Sequence, residues 1–515
     1  MSVHRRQRIH WENSSTVLLS ATCRYHGSMM FLRRRVWVDV LCILTVLFAV
    51  AAVYGRNATF DFVNWDDGNL MYLNPIVTQF TGWPALKIAF TSYDPELYIP
   101  LTFLTYQVEH ALVGLHPALY HLTNVCLHAL NALLVYWLLF LLSRGRKDLA
   151  FLTALLFALH PVNAEAVSWV SARKDLLSGF FALASSIAYL RSRARFSWIS
   201  ASLFLCALLS KVSVALLPLV FLLFDWFLTG RITRRNVVGK WPFALLSVLF
   251  IVIALLGKTA NLSGLPVEDH VLLAVRSTMF TLSKLFFPFH LSAFYHQTHP
   301  ITLFSVEFWP SIVGIILLFS LVVLLRKYRA LLVATLAYLL LILPSFTTFR
   351  KSQEIILFAS DRYVYLASVA LLALTVCSVL RFLGGKYPRI GVVSFLCVGA
   401  LFGFLSYRHS GAWANTLSLY EHAVAARPDT YIAQHNLGVE YLNAGRTQEA
   451  ITHLGIAIGI DPKRPIAYEN MARALAAQGR YEEALAYTLQ ALALNPAKRE
   501  EYEEALRKIE EAGGR

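Results

Sequence analysis

Eleven apolar runs recur along the first four-fifths of the chain, near residues 36–54, 119–142, 148–162, 175–191, 196–210, 212–229, 241–258, 306–325, 329–347, 363–382 and 389–407. Each approaches the ~20 residues that a helix needs to cross a bilayer. Residues 268–290 are different: His270, Arg276 and Lys284 interrupt them, so a re-entrant or surface-lying helix is expected there. The pattern predicts an all-α, polytopic membrane protein of about eleven spans. Residues 1–35 carry no apolar period, and disorder is expected there.

From about residue 411 the pattern changes to Ala, Glu and Arg at helical spacing. Asn436, Gly445-Arg446, Glu449-Ala450 and Asp461-Pro462 return 34 residues later as Asn470, Gly479-Arg480, Glu483-Ala484 and Asn495-Pro496. This period and these positions are those of the tetratricopeptide repeat (TPR), in which Gly ends a helix and Ala permits close helix packing. Two full repeats fit 433–498, with a leading half-repeat and a charged capping helix. The expected organisation is a basic N-terminal segment (1–35), a membrane domain (36–410) and a C-terminal TPR α-solenoid (411–515). Solenoids of this kind bind protein segments along a groove, here marked by Asn436 and Asn470.

Composition supports this division. The chain is 57% hydrophobic and only 15% charged, with 34 Phe among 515 residues, which excludes an ordinary soluble protein. The net charge of +15 is dispersed in clusters between spans rather than gathered in a nucleic-acid-binding patch. Placing these clusters on the cytoplasmic side puts the N-terminus inside and the repeats outside. The six cysteines show neither metal-ligand spacing nor a disulfide framework.

That orientation brings the unusual polar residues to one external face. Asn64-Trp65-Asp66-Asp67-Gly68 follows the first span. Two adjacent carboxylates are able to share a cation, or one is able to act as a base while the other orients it. His160-Pro161 ends a span and is followed by Glu165, Trp169, Arg173 and Lys174, a basic pair suited to phosphate. Arg350, Lys351 and Arg362, beside Ser360, Asp361, Tyr363 and Tyr365, place more positive charge at the membrane border, where a lipid-linked phosphate would meet it. His290, Tyr295, His296 and His299 form a further polar loop without a standard zinc spacing.

Taken as a set, Phe62-Val63-Asn64-Trp65-Asp66-Asp67, Pro100-Leu101-Thr102, His121-Leu122-Thr123-Asn124, His128-Ala129-Leu130-Asn131, Ala158-Leu159-His160-Pro161 and Ser360-Asp361-Arg362-Tyr363, with the terminal repeats, resemble the transmembrane-and-TPR-containing proteins. Eukaryotic members of that family are O-mannosyltransferases, and bacterial relatives are common. The resemblance implies a GT-C glycosyltransferase fold, a polyprenyl-phosphate sugar donor and inverting transfer to a hydroxyl of a protein or glycan. Asp66 or Asp67 would then be the catalytic base. Arg173, Lys174, Arg350 and Arg362 would bind the donor phosphate, with His160, Glu165, Asp361 and Tyr363 in supporting positions. A divalent metal is compatible with this scheme and not required by the sequence. The expected location is a bacterial inner membrane with the repeats on the periplasmic side, in contact with lipid and with a TPR-bound protein partner, and without nucleic acid. The alternative is a non-catalytic membrane scaffold that presents the repeats.

Overall fold

A computed structural model describes residues 37–93, 97–192, 196–258, 265–297, 300–349, 356–384 and 387–514. The N-terminal segment 1–35, His299, Arg350 and Lys351 lie outside the described residues. Six helices are long and apolar enough to cross a membrane: Trp37–Thr59, Pro117–Leu142, Val212–Thr229, Val306–Leu324, Arg329–Thr347 and Arg389–Trp413. Lys147–Leu159 and Pro161–Ser168 form a further pair bent by 53°, and Trp198–Ser210, Trp241–Gly257 and Ser368–Leu383 are shorter apolar helices. Each of the eleven anticipated runs falls on a helix, the more polar one being Arg173–Arg191. Phe48, Phe319 and Leu324 point outward, Phe319 with 70% of its surface exposed. An apolar exterior of this kind is stable only against lipid. The chain is a multi-pass, all-α membrane protein.

The bend at residue 160 has a local cause. Pro161 has no N–H to continue the helical ladder and biases the residue before it toward extended backbone. His160 accordingly has φ −72 and ψ 128. Its Nδ1 accepts the Val162 N–H at 3.3 Å, and its Nε2 lies 2.9 Å from the Leu285 carbonyl. The Nδ1 is an acceptor, so the proton sits on Nε2 and is donated to that carbonyl. His160 is thus a helix-break clasp between two segments.

Polar residues inside the Pro117–Leu142 helix play similar parts. Asn131 donates to the Leu176 carbonyl and the Tyr365 hydroxyl, and His128 contacts Tyr365 and the Ala158 carbonyl. Buried polar groups persist where such partners exist. Val267–Phe286 is a separate amphipathic helix that buries Leu273, Ser277, Thr281 and Leu285. Arg276 on its polar side pairs with Glu307 at 3.0 Å.

One end of the bundle gathers several basic clusters and their partners. Lys147 and Tyr136 both meet Asp39, at 2.7 and 2.8 Å, and Arg144 donates to the Leu228 carbonyl at 3.3 Å. The other end carries the acidic loop, the small antiparallel pairing of Tyr295–His296 with Leu357–Ala359, and the repeats. There Tyr431–Asn443 packs on Thr447–Ile460, and Pro465–Ala477 on Tyr481–Leu494, with Arg499–Ala512 as the cap. Gly445 and Gly479, one repeat apart, have φ +75 and +77. That conformation favours glycine and explains why this residue recurs at a period of 34.

Candidate active site

The acidic motif lies where the Trp37–Thr59 helix gives way to a turn and a single π-helical turn, Gly68–Tyr72. The two aspartates have different environments. Asp67 is fully buried; its Oδ2 accepts the Val63 N–H at 3.0 Å, and its Oδ1 accepts the Ser171 N–H at 3.1 Å and the Ser171 hydroxyl. Burial pushes its pKa up to about 6 against the pull of these three donors. Asp66 is half-exposed, and its side chain makes no hydrogen bond or ion pair among the described residues. Asp67 ties the loop to the segment after Trp169, which leaves Asp66 free to meet another molecule.

Asp66 acts electrostatically on two cations, Lys174 and Arg362. Lys174 is buried, its ammonium 5.6 Å from the centre of the Trp169 ring, with no carboxylate in ion-pair reach among the described residues. Arg362 stacks over the same Trp169 at 4.7 Å and pairs with buried Glu165. Glu165 also accepts the Ser360 hydroxyl at 2.6 Å and the Asp361 N–H at 2.9 Å, so it fixes the whole Ser360–Arg362 turn. Among the described residues the Arg362 Nε has no hydrogen-bond partner; it lies 4.0 Å from Asp175 Oδ2, which has none there either. Asp175 Oδ1 pairs with Lys211 at 2.5 Å.

Arg362, Asp175 and Lys211, though not Asp66 or Lys174, also line a cavity of about 610 Å³. Its charged lining residues are Asp175, Lys211 and Arg362; Tyr363, His270 and Ser213 add polar groups, and Leu216, Phe250, Leu255, Leu341, Phe346 and Leu366 are among the apolar ones. A volume of that size with a few convergent polar groups is typical of a small-molecule site. A mostly apolar lining with three charged side chains suits an amphipathic molecule.

The remaining candidate residues are dispersed. Arg173 is not at the cavity: it is fully buried in a separate network, paired with Glu109 at 2.5 Å and donating to Asn124 Oδ1 at 2.8 Å and the Tyr120 carbonyl at 2.6 Å. Consecutive residues on a helix point about 100° apart, and Arg173 and Lys174 diverge accordingly, Arg173 to Glu109 and Lys174 toward Trp169. Asp361 is buried beneath Arg362 and accepts the Tyr295 hydroxyl at 3.0 Å. Burial and the neighbouring Glu165 carboxylate hold its pKa well above the usual carboxylate range. His296 is buried against Thr430 of the repeats, whereas His290 is not. Among the described residues no three His, Cys, Asp or Glu side chains converge as a metal site. Asn436 and Asn470 bond within the repeat module, to Tyr420 and to His435.

Sequence reasoning did not place Glu109, Ser171, Lys211 or Tyr420 near the site. The signal for Lys211 was there: one cation between apolar runs requires a partner, and Asp175 is that partner.

Residues 435–499 match the tetratricopeptide repeat family. Over 441 residues the chain is 26% identical to Protein O-mannosyl-transferase F38B6.6 of Caenorhabditis elegans, covering 78% of this chain and 60% of that protein. It is 34% identical over 147 residues to Protein O-mannosyl-transferase TMTC1 of mouse (27% of this chain, 16% of that protein), and 30% identical over 230 residues to human Protein O-mannosyl-transferase TMTC4 (38% and 30%). The chain thus spans at most 60% of the length of these relatives. These relatives, with the apolar helices and the terminal repeats, support membership of the O-mannosyl-transferase family that they represent.

Proposed function

We propose that this protein is an inverting membrane glycosyltransferase of GT-C type, moving a sugar from a polyprenyl phosphate to a hydroxyl of a protein or glycan on the external face. The observation that carries this reading is a lipid-sized apolar cavity lined by Lys211 and Arg362, with Asp66, unpaired among the described residues, acting electrostatically on Arg362. The polyprenyl tail would occupy the apolar length, with its phosphate at Arg362 and Lys211 and within reach of Lys174. Asp66 removes the proton from the acceptor hydroxyl while its oxygen bonds to the anomeric carbon. The bond from that carbon to the phosphate oxygen breaks, and polyprenyl phosphate leaves with the electron pair. The three cations offset the charge that develops on it. Asp67 does not touch substrate in this scheme; it holds the loop through Ser171.

Membranes supplied with radiolabelled polyprenyl-phosphate sugars test the reading directly. Label passing to protein or glycan, lost in Asp66→Asn and reduced in Arg362→Gln, is the expected result. A fully active Asp66→Asn enzyme would overturn it. Leu216→Trp, which fills the cavity, is expected to raise the KM for a long-chain donor more than for a short-chain one.

A further inference from the structure

The repeats begin with the Thr416–Ala426 helix, and this helix grips the acidic loop. The Asn64 N–H donates to Thr416 Oγ1 at 2.9 Å, and the Tyr420 hydroxyl donates to the Asn64 carbonyl at 3.1 Å. Thr416 and Tyr420 are four residues apart, on one face of that helix, so they hold both ends of the residue two before Asp66. Phe294 stacks on Tyr420 at 5.8 Å and meets Trp65 edge-on at 4.7 Å, which closes the contact from the side.

Tyr420 is itself the end of a chain of hydrogen bonds across the repeats. Arg473 donates to Asn470 Oδ1 at 3.0 Å, and Asn470 Nδ2 to His435 Nε2 at 3.0 Å. His435 Nδ1 donates to Asn436 Oδ1 at 2.9 Å, and Asn436 Nδ2 to the Tyr420 oxygen at 3.0 Å. Each member has its donor on one side and its acceptor on the other, so the polarity is the same at every link. An arginine, which only donates, sets the direction at one end, and a backbone carbonyl, which only accepts, receives it at the other. Burial keeps the His435 pKa below its ordinary value, consistent with the neutral ring that the chain demands. Such chains strengthen their members when complete.

We infer that Tyr420, Asn436, His435 and Asn470 are positioning residues: the repeat module holds the Asn64–Asp67 loop, and with it Asp66, through a hydrogen-bond relay of fixed polarity. The inference concerns the loop itself and rests on the proposed function only for the consequence in catalysis.

Two variants of the full-length protein test it. Tyr420→Phe keeps the stack on Phe294 and removes the donor. Asn436→Asp is isosteric, still accepts from His435, and offers Tyr420 a carboxylate, so the hydroxyl turns away from Asn64. Backbone hydrogen exchange across residues 63–68 is expected to rise about tenfold in both, the scale of one net hydrogen bond, with the unfolding temperature unchanged. In the transfer assay kcat should fall with the donor KM unaltered. Unchanged exchange in both folded variants overturns the inference. A rise in Tyr420→Phe alone overturns the relay, because Asn436→Asp is the variant that reverses the hydrogen bond at Tyr420. Raised exchange with unchanged kcat overturns the positioning role. If the wild type transfers no sugar, exchange still decides whether the relay exists, and only the transferase reading falls.

Discussion

At the scale of single residues, adjacency in sequence and equivalence in role part company at Asp66 and Asp67. The chain turns between them, so one carboxylate is sealed beneath Ser171 while its neighbour is left without a hydrogen-bond partner among the described residues. Asp66→Asn is expected to lower transfer by about 10²–10⁴, the usual contribution of a positioned base, and Asp67→Asn by less. Asp67 also makes a pH prediction. Its pKa rises on folding, from 3.8 to about 6. Its contribution to stability is therefore full below about pH 4 and is lost as pH rises through about 6. The unfolding temperature of the wild type should fall relative to Asp67→Asn between about pH 4 and pH 6.5; parallel curves would contradict the assignment. Arg173 and Glu109 supply a third test. Glu109→Gln leaves a guanidinium buried without its counter-ion, which should cost about 3 kcal/mol or more of stability. Loss of donor affinity without loss of stability would instead return Arg173 to the cavity.

At the scale of elements, local rules were legible wherever a segment answers to its own composition. An apolar run must become a helix in lipid, because backbone groups there have no other partners, and each of the eleven runs did. The repeats were legible for the same reason: the glycine turns and alanine contacts are satisfied within one repeat and its neighbour. Gly438 shows how tight these contacts are. A Cβ there would lie 2.7 Å from Leu454 Cγ and 3.2 Å from the Ala450 carbonyl. Gly438→Ala should destabilise the module by about 1–3 kcal/mol through overpacking, read as earlier proteolysis of residues 416–512 in the full chain. The break at His160-Pro161 was visible in sequence; the partner of His160, Leu285, was not, since it lies 125 residues away.

At the scale of the molecule, the repeats pack on the acidic loop. Phe294 belongs to the same buried cluster as Tyr420, Leu437 and Leu454, and Trp169 stacks on Trp413 at 5.3 Å. A chain ending before Thr416 would keep its apolar helices and lose both hydrogen bonds to Asn64. Transfer by that truncation is expected to fall by tenfold or more (about 1.4 kcal/mol) with membrane insertion retained. Full activity would mean that the repeats serve only partners.

The sequence by itself determined what depends on neighbours along the chain: helices, their apolar exterior, the 34-residue period, and the presence of acidic and basic motifs. Only the tertiary structure decided which charges meet. It separated Arg173 from Lys174, joined Lys211 to Asp175, and set Tyr420 against Asn64, 356 residues before it. The physical reason is that a buried charge or hydrogen-bonding group takes the partner that packing brings within about 3 Å, and the apolar helices that set this packing are alike in composition. Their order in space, and hence the identity of each partner, is written in no single segment.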